Sequence, residues 1–450
     1  LLPVVLVIQE LVLDPGALAD LHSIGAIARL LQCIRSTNEE ILMSAIDATC
    51  RAAQNAEMRA VISQGTGMKD LIGVLNRSGN NEILQMAVAS ISACSKSPDN
   101  AEMVNTAGGI EIMCSLLGDD KSTALQINVA GALWNACLVS QRSRDNFRTC
   151  GGLQTAVALL QGQGHGTLTE NVTGLLWAAA IDQDCCKALG TGEGMRLILS
   201  LLRSKQSRVQ ANACGALSSL MEEASNVLIF RTKLLSGVPI VLDMLSAKSR
   251  EVQANACAAI GVMCKHDELL GIMTEQGLVA KLSLLIKTAQ SDPAKKQIAF
   301  CIAQTAGWGD NACEFGKLGA VAPLVQYLTS LDKEVGSYAV FAMLRLSSDQ
   351  DNCERLRLAG AVPFLTNILG SEDSLLAHAA AGSLCHIRFA YASRMVDFQL
   401  QELQPGRIRT AEQRMREPSR PASAASPLRP LGELGSSLYV RRLIETGLIY

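Results

Sequence analysis

The sequence predicts an all-α solenoid of about nine stacked three-helix units, followed by a non-repeat tail. Three observations predict it. First, nine glycines recur down the chain: Gly25, Gly67, Gly109, Gly152, Gly194, Gly237, Gly277, Gly319 and Gly360. Their spacing stays between 40 and 43 residues. Self-similarity at a fixed period of this length marks one supersecondary unit repeated along the chain. Second, 48% of residues are apolar but only 4% are aromatic. Such a core is built from Ala, Leu, Ile, Val and Cys, which suits helices packed about 8–10 Å apart. Third, apolar residues within each period recur at i, i+3, i+4 and i+7, the helical pattern rather than the strand pattern.

Each unit reads in the same order. A polar turn opens it, as in Ser97-Pro98-Asp99-Asn100, Arg144-Asp145-Asn146 and Asp351-Asn352. A short apolar helix follows and ends at the indexed glycine, which permits a sharp change of direction. A second helix carries leucines at L-x-x-L-L spacing, as in 153–160 and 324–328. After another polar turn comes a third helix rich in Ala and Leu. The third-helix segments QINVAGALWNAC (126–137), VQANACGALSSL (209–220) and VQANACAAIGVM (252–263) closely resemble those of the armadillo-repeat family. That resemblance spans residues 14–398 and implies a right-handed superhelical solenoid that binds other proteins.

The two ends differ from the repeats. Residues 1–13 are apolar, too short to span a bilayer and without a basic leader, so they read as the end of a preceding repeat or a cap. The chain opens on Leu1 rather than methionine, which reads as a piece of a larger protein. Residues 399–450 are rich in Arg, Ser, Ala and Pro, with eight Arg against five Glu. The preceding 398 residues carry 32 basic and 37 acidic side chains. A tail of this composition cannot bury a core and is expected to be largely extended or disordered, with Leu438–Tyr450 apolar enough to dock on the solenoid or a partner.

Chemistry is hard to find. The 15 cysteines show no C-x-x-C and no zinc spacing with histidine, and seven of them fall on third helices among Ala and Leu. They read as reduced, small apolar core residues, which fits a reducing compartment. The five histidines form no metal site, and the glycine-rich turn at 162–166 lacks the strand and the Lys-Ser/Thr of a phosphate loop. No hydrolase, protease or kinase signature is present. An enzyme, a metal and a cofactor are therefore not expected. A net charge of −2 gives no global reason to expect nucleic acid or an anionic membrane.

The third helices align on Ala45, Ala87, Val129, Val172, Ala213, Ala256, Ala299, Ala339 and Ala380. Positions +3, +4 and +7 from these form the core stripe. Positions −1, +2 and +6 share another face, which the armadillo resemblance implies to be the lining of the concave groove. At −1 stand Asn128, Asn171, Asn212 and Asn255, and at +2 stand Gly131, Gly174, Gly215 and Ala258. This is a polar ladder beside a floor with almost no side chains, able to pair with an extended backbone or a polar helix. Repeat 8 carries Tyr338, Phe341 and Arg345 on the same face, residue types that dominate interface energetics. Repeat 9 carries His386 there, and Asn135 stands at +6 in repeat 3. These nine residues are the candidate partner-binding set. Trp134 and Trp177, at +5, read as packing between repeats. The Trp and Asn arrays of nuclear import receptors are absent, so binding of a basic peptide is not expected.

Four segments narrow the resemblance: GWGDN (307–311), GAVAPLVQYL (319–328), LSSDQDNCERL (346–356) and AAAGSLCHIR (379–388). They resemble the last repeats of armadillo proteins of the outer dynein arm docking machinery in motile cilia, and ankyrin-and-armadillo proteins are similar there. The resemblance implies a structural role on the axoneme of a cilium or flagellum, within the cytoplasmic cytoskeleton; the alternatives are another axonemal armadillo scaffold, of the central apparatus, or a cytosolic or nuclear trafficking or signalling adaptor. The partners implied are coiled-coil docking subunits, dynein arm components and tubulin.

Overall fold

The computed structural model describes residues 1–402 apart from 65, 119, 120 and 163–165. The tail expectation for 403–450 lies outside the described residues. Helices and short 3-10 turns make up the regular structure, with no strand among the described residues. Repeat 3 is representative: Pro98–Thr106, Gly109–Leu116 and Thr123–Val139. Its starts are fixed by side chains. Ser97 Oγ accepts the Asn100 N–H, and Ser122 Oγ accepts the Leu125 N–H.

The chain divides into two compact units, Leu1–Thr305 and Ala306–Tyr450. In the first, the third helices of seven repeats pack one on the next: Glu39–Ala52, Asn81–Cys94, Thr123–Val139, Thr167–Ala179, Ser207–Met221, Arg250–Met263 and Asp292–Thr305. The opening helix Leu2–Leu11 packs on Glu39–Ala52 in the same way. In the second unit the third helices of repeats 8 and 9, Lys333–Leu346 and Ser374–Glu402, pack together. The last helix runs four residues past 398, because Gln, Leu and Glu continue it and the next breakers are Pro405 and Gly406.

All nine aligned core positions, from Ala45 to Ala380, are fully buried. Small residues recur there because neighbouring helix backbones must approach closely. The indexed glycines, read from sequence as turn residues, serve two different ends. Gly277 adopts φ +83°, a left-handed conformation that turns the chain between helices. Gly152 does not, and a Cβ on it would lie 2.3 Å from the Phe147 ring. There the turn is made by Gly151, at φ +81°, and Gly152 lets the second helix close on the first.

Candidate functional site

The asparagine ladder is built into the stack. Asn171 Nδ2 donates to Ile127 O at 2.9 Å, Asn212 Nδ2 to Glu170 O at 3.1 Å, and Asn255 Nδ2 to Ala211 O at 3.0 Å. Asn128 Nδ2 donates to Gln85 O at 3.3 Å. Each acceptor is a backbone carbonyl on the third helix of the preceding repeat. Asn135 donates to both Ser92 O and Ser92 Oγ, at 3.2 and 3.0 Å. The donor half of each amide therefore ties one repeat to the one before it. No described residue donates to the amide oxygens of these five asparagines. Asn212 is buried, and the other four are half-buried.

The glycine floor is occupied by the protein itself. A Cβ on Gly174 would lie 2.5 Å from Trp134 Cε2, and one on Gly215 would lie 2.5 Å from Trp177 Cε2. Each indole, from position +5 of one repeat, covers the +2 glycine of the next. Where repeat 5 has the small Ser218 at +5, repeat 6 accommodates Ala258 at +2. The close approach that the glycines allow is thus made by tryptophan, and Trp134 and Trp177 join neighbouring repeats. In the second unit Leu344 covers Gly382 in the same relation, with Leu344 Cδ1 2.7 Å from a Cβ placed there.

Other asparagines matter, two of which, Asn100 and Asn352, the sequence had presented as turn residues. Asn100 Nδ2 donates to Cys94 O at 2.9 Å, and Asn352 Nδ2 to Leu346 O at 3.1 Å and Ala312 O at 2.6 Å. Asn226 Nδ2 reaches Leu220 O at 3.0 Å and Cys186 O at 3.2 Å. These buried amides cap the carbonyl end of a third helix, which its own helix leaves unpaired. The sequence signal was available: Asn226 and Asn352 each fit against a glycine, Gly190 and Gly316, 36 residues upstream.

The repeat 8 face is different in kind. Tyr338 and Phe341 are half-buried on Lys333–Leu346, and Arg345 is exposed. The Arg345 side chain passes over Gly307, where a Cβ would lie 3.5 Å from its Cδ. His386 is exposed, and its Nδ1 lies 2.9 Å from the Oγ of Ser347, the residue that follows the neighbouring third helix. Trp308, 36% exposed, belongs to the same unit. This face combines aromatic surface, a cation and an imidazole.

Burial pushes most thiols up, Cys94 and Cys214 each to about 12, which keeps them protonated and inert. Among the described residues no group of three His, Cys, Asp or Glu side chains could hold a metal ion. No described helix is long and apolar enough to cross a membrane.

Comparison with known proteins agrees with this architecture. The armadillo/β-catenin-like repeat family matches residues 97–138, which is repeat 3. The armadillo repeat-containing protein gudu of Drosophila melanogaster is 34% identical over 81% of this chain and 54% of its own length. Outer dynein arm-docking complex subunit 2 of Bos taurus is 33% identical over 28% of this chain and 12% of its own length. The chain thus spans about half of the first relative and a smaller share of the second. The crystal structure of an engineered protein superposes with a TM-score of 0.72 at 23% identity, covering 85% of this chain and 94% of that one. That likeness concerns the fold. Residues 97–138 are thus matched as an armadillo repeat, and the same three-helix unit recurs along both units.

Proposed function

We propose that the chain is a non-enzymatic protein-binding scaffold of the ciliary axoneme that helps dock outer dynein arms on doublet microtubules. The observation that carries the docking role is the 33% identity to the bovine docking-complex subunit. The surface supports a scaffold more generally. Helices stacked about 10 Å apart offer a long face on which many weak contacts add through avidity. The asparagine amide oxygens point to a partner that brings donors, such as the polar edge of a coiled coil. Tyr338, Phe341, Arg345 and His386 supply the anchor residue types that carry most interface energy. Tubulin and dynein arm components are further partners in this reading, and the tail arginines between 407 and 442 suit an acidic surface.

The test is cross-linking mass spectrometry on purified axonemes followed by high-salt extraction. Cross-links from the third-helix faces to docking coiled coils or tubulin are expected. A protein absent from axonemes and soluble in the cell body would overturn the docking role and leave a trafficking or signalling adaptor.

A further inference from the structure

The third helix of repeat 9 lacks the cover that the others have. In repeat 3 the stripe Ile127, Ala130, Trp134 and Cys137 faces repeat 4, since Ile127 O accepts from Asn171 and Trp134 covers Gly174. Ala130 and Cys137 are buried there, as their equivalents are in repeat 6, Cys257 and Cys264, and in repeat 8, Val340 and Ser347. In repeat 9 the same stripe is His378, Ala381, Cys385 and Arg388. Ala381 and Cys385 are only half-buried, and His378 and Arg388 are exposed.

The helix is also longer than its counterparts. Ser374–Glu402 has 29 residues, against 13 to 17 in the other third helices. One side of the added turns is anchored on the first helix of repeat 9, Gln350–Leu358. Arg394 Nη2 lies 2.6 Å from Asp351 Oδ1, and the Arg357 guanidinium stands 5.5 Å from the centre of the Tyr391 ring. The other side prolongs the open stripe through Phe389, Met395 and Val396, which are 71%, 44% and 53% exposed. The outer face of a solenoid's terminal repeat is ordinarily polar. This one is apolar around a cation, Arg388, that has no ion-pair partner among the described residues.

The chain carries a matching segment beyond the described residues. Val440, Leu443, Ile444, Gly447 and Leu448 stand at i, i+3, i+4, i+7 and i+8, the apolar pattern of a helix. Ser437, a favoured helix-capping residue, precedes it. Glu445 is the one acid between 438 and 450; it borders that pattern and complements Arg388. By random-coil statistics a connection as long as 403–437 reaches about 30–35 Å. The open stripe from Ala381 to Val396 is about 23 Å long and lies on the very helix from which that connection departs. The segment is thereby held near the stripe at an effective concentration on the order of millimolar, an advantage that no separate partner has.

We propose that residues 438–450 fold back as a helix on the open stripe of Ser374–Glu402. Val440, Leu443, Ile444 and Leu448 lie against Phe389, Met395 and Val396, with Glu445 beside Arg388. The segment does for repeat 9 what the next third helix does for the others, and any partner that reads this face must first displace it. The inference does not rest on the docking role.

The experiment uses the full chain with the photo-reactive amino acid p-benzoylphenylalanine in place of Phe389. Irradiation is expected to join position 389 to a peptide within 438–450 of the same molecule, in a yield unchanged by dilution. In Leu443→Asp/Leu448→Asp that cross-link falls about tenfold or more, while circular dichroism shows the helices of the solenoid retained. Hydrogen exchange reads the same contact without a change at 389: amides 381–396 exchange about tenfold or more slowly in the wild-type chain than in Leu443→Asp/Leu448→Asp. Should the position 389 variant fail to fold, hydrogen exchange decides alone. Cross-links only to a second copy or to residues outside 438–450, no cross-link at all, or equal exchange in the two chains overturns the proposal.

Discussion

Gly190→Ala is the most informative single change in the stack. At an ordinary helix position, glycine to alanine gains up to about 1 kcal/mol. Here the sign reverses. A Cβ on Gly190 would lie 1.8 Å from Asn226 Oδ1 and 2.1 Å from its Cγ. Asn226 is 1% exposed and cannot step aside cheaply, because its amide holds Leu220 O and Cys186 O. Moving it takes one of two donors from each carbonyl and leaves the buried Asn226 amide unpaired, at about 1–3 kcal/mol, and the overpacking itself adds about 1–3 kcal/mol. The expected loss is therefore about 2–5 kcal/mol. Urea unfolding followed by circular dichroism gives the magnitude. Hydrogen exchange should place the weakening in repeats 5 and 6, since repeat arrays open locally. The double variant Gly190→Ala/Asn226→Ala supplies the control, because the clash vanishes with the amide. It should be little worse than Asn226→Ala alone, a coupling of more than about 1 kcal/mol. A Gly190→Ala protein within about 0.5 kcal/mol of wild type, or simple additivity in the double variant, would refute the reasoning.

Three further outcomes are expected. Leu133→Ala and Leu217→Ala, both fully buried, should each cost about 2–5 kcal/mol and loosen the adjoining repeats, and a change below about 0.5 kcal/mol in urea unfolding would contradict the packing. Asn171→Asp should destabilise more than Asn171→Ala, because the carboxylate faces Ile127 O with no proton to donate; equal thermal shifts would mean that the bond contributes nothing. Arg345→Ala should leave stability within about 0.5 kcal/mol while weakening capture of docking subunits about tenfold or more. Unchanged capture would remove Arg345 from the interface.

The period, the helix order and the core stripe were legible because each follows from a local rule repeated many times. Ala45 through Ala380 could be placed without coordinates: a fixed phase and a helical apolar pattern leave little choice. What stayed hidden depended on pairs in different repeats. Asn352 looks like a turn residue until Gly316 is set beside it, and Gly174 looks like room for a ligand until Trp134 fills it. Asparagine at position −1 is ambiguous for the same reason. Its amide serves a peptide or a neighbouring carbonyl equally well, and only the stack decides which half is used.

That division bears on where a partner would bind most strongly. In repeats 3 to 6 the shared face is largely committed to the stack: the amide donors hold carbonyls, and two of the glycines hold indoles. What it still offers is a row of weak acceptors, suited to register more than to affinity. In repeat 8 the same positions carry the half-buried Tyr338 and Phe341, and Arg345 is left exposed. The ladder is suited to set register, and the repeat 8 face is suited to grip. Removing the grip should cost affinity without stability, and removing a rung should cost stability first. The comparison of Arg345→Ala with Asn171→Ala separates those two roles within a single protein.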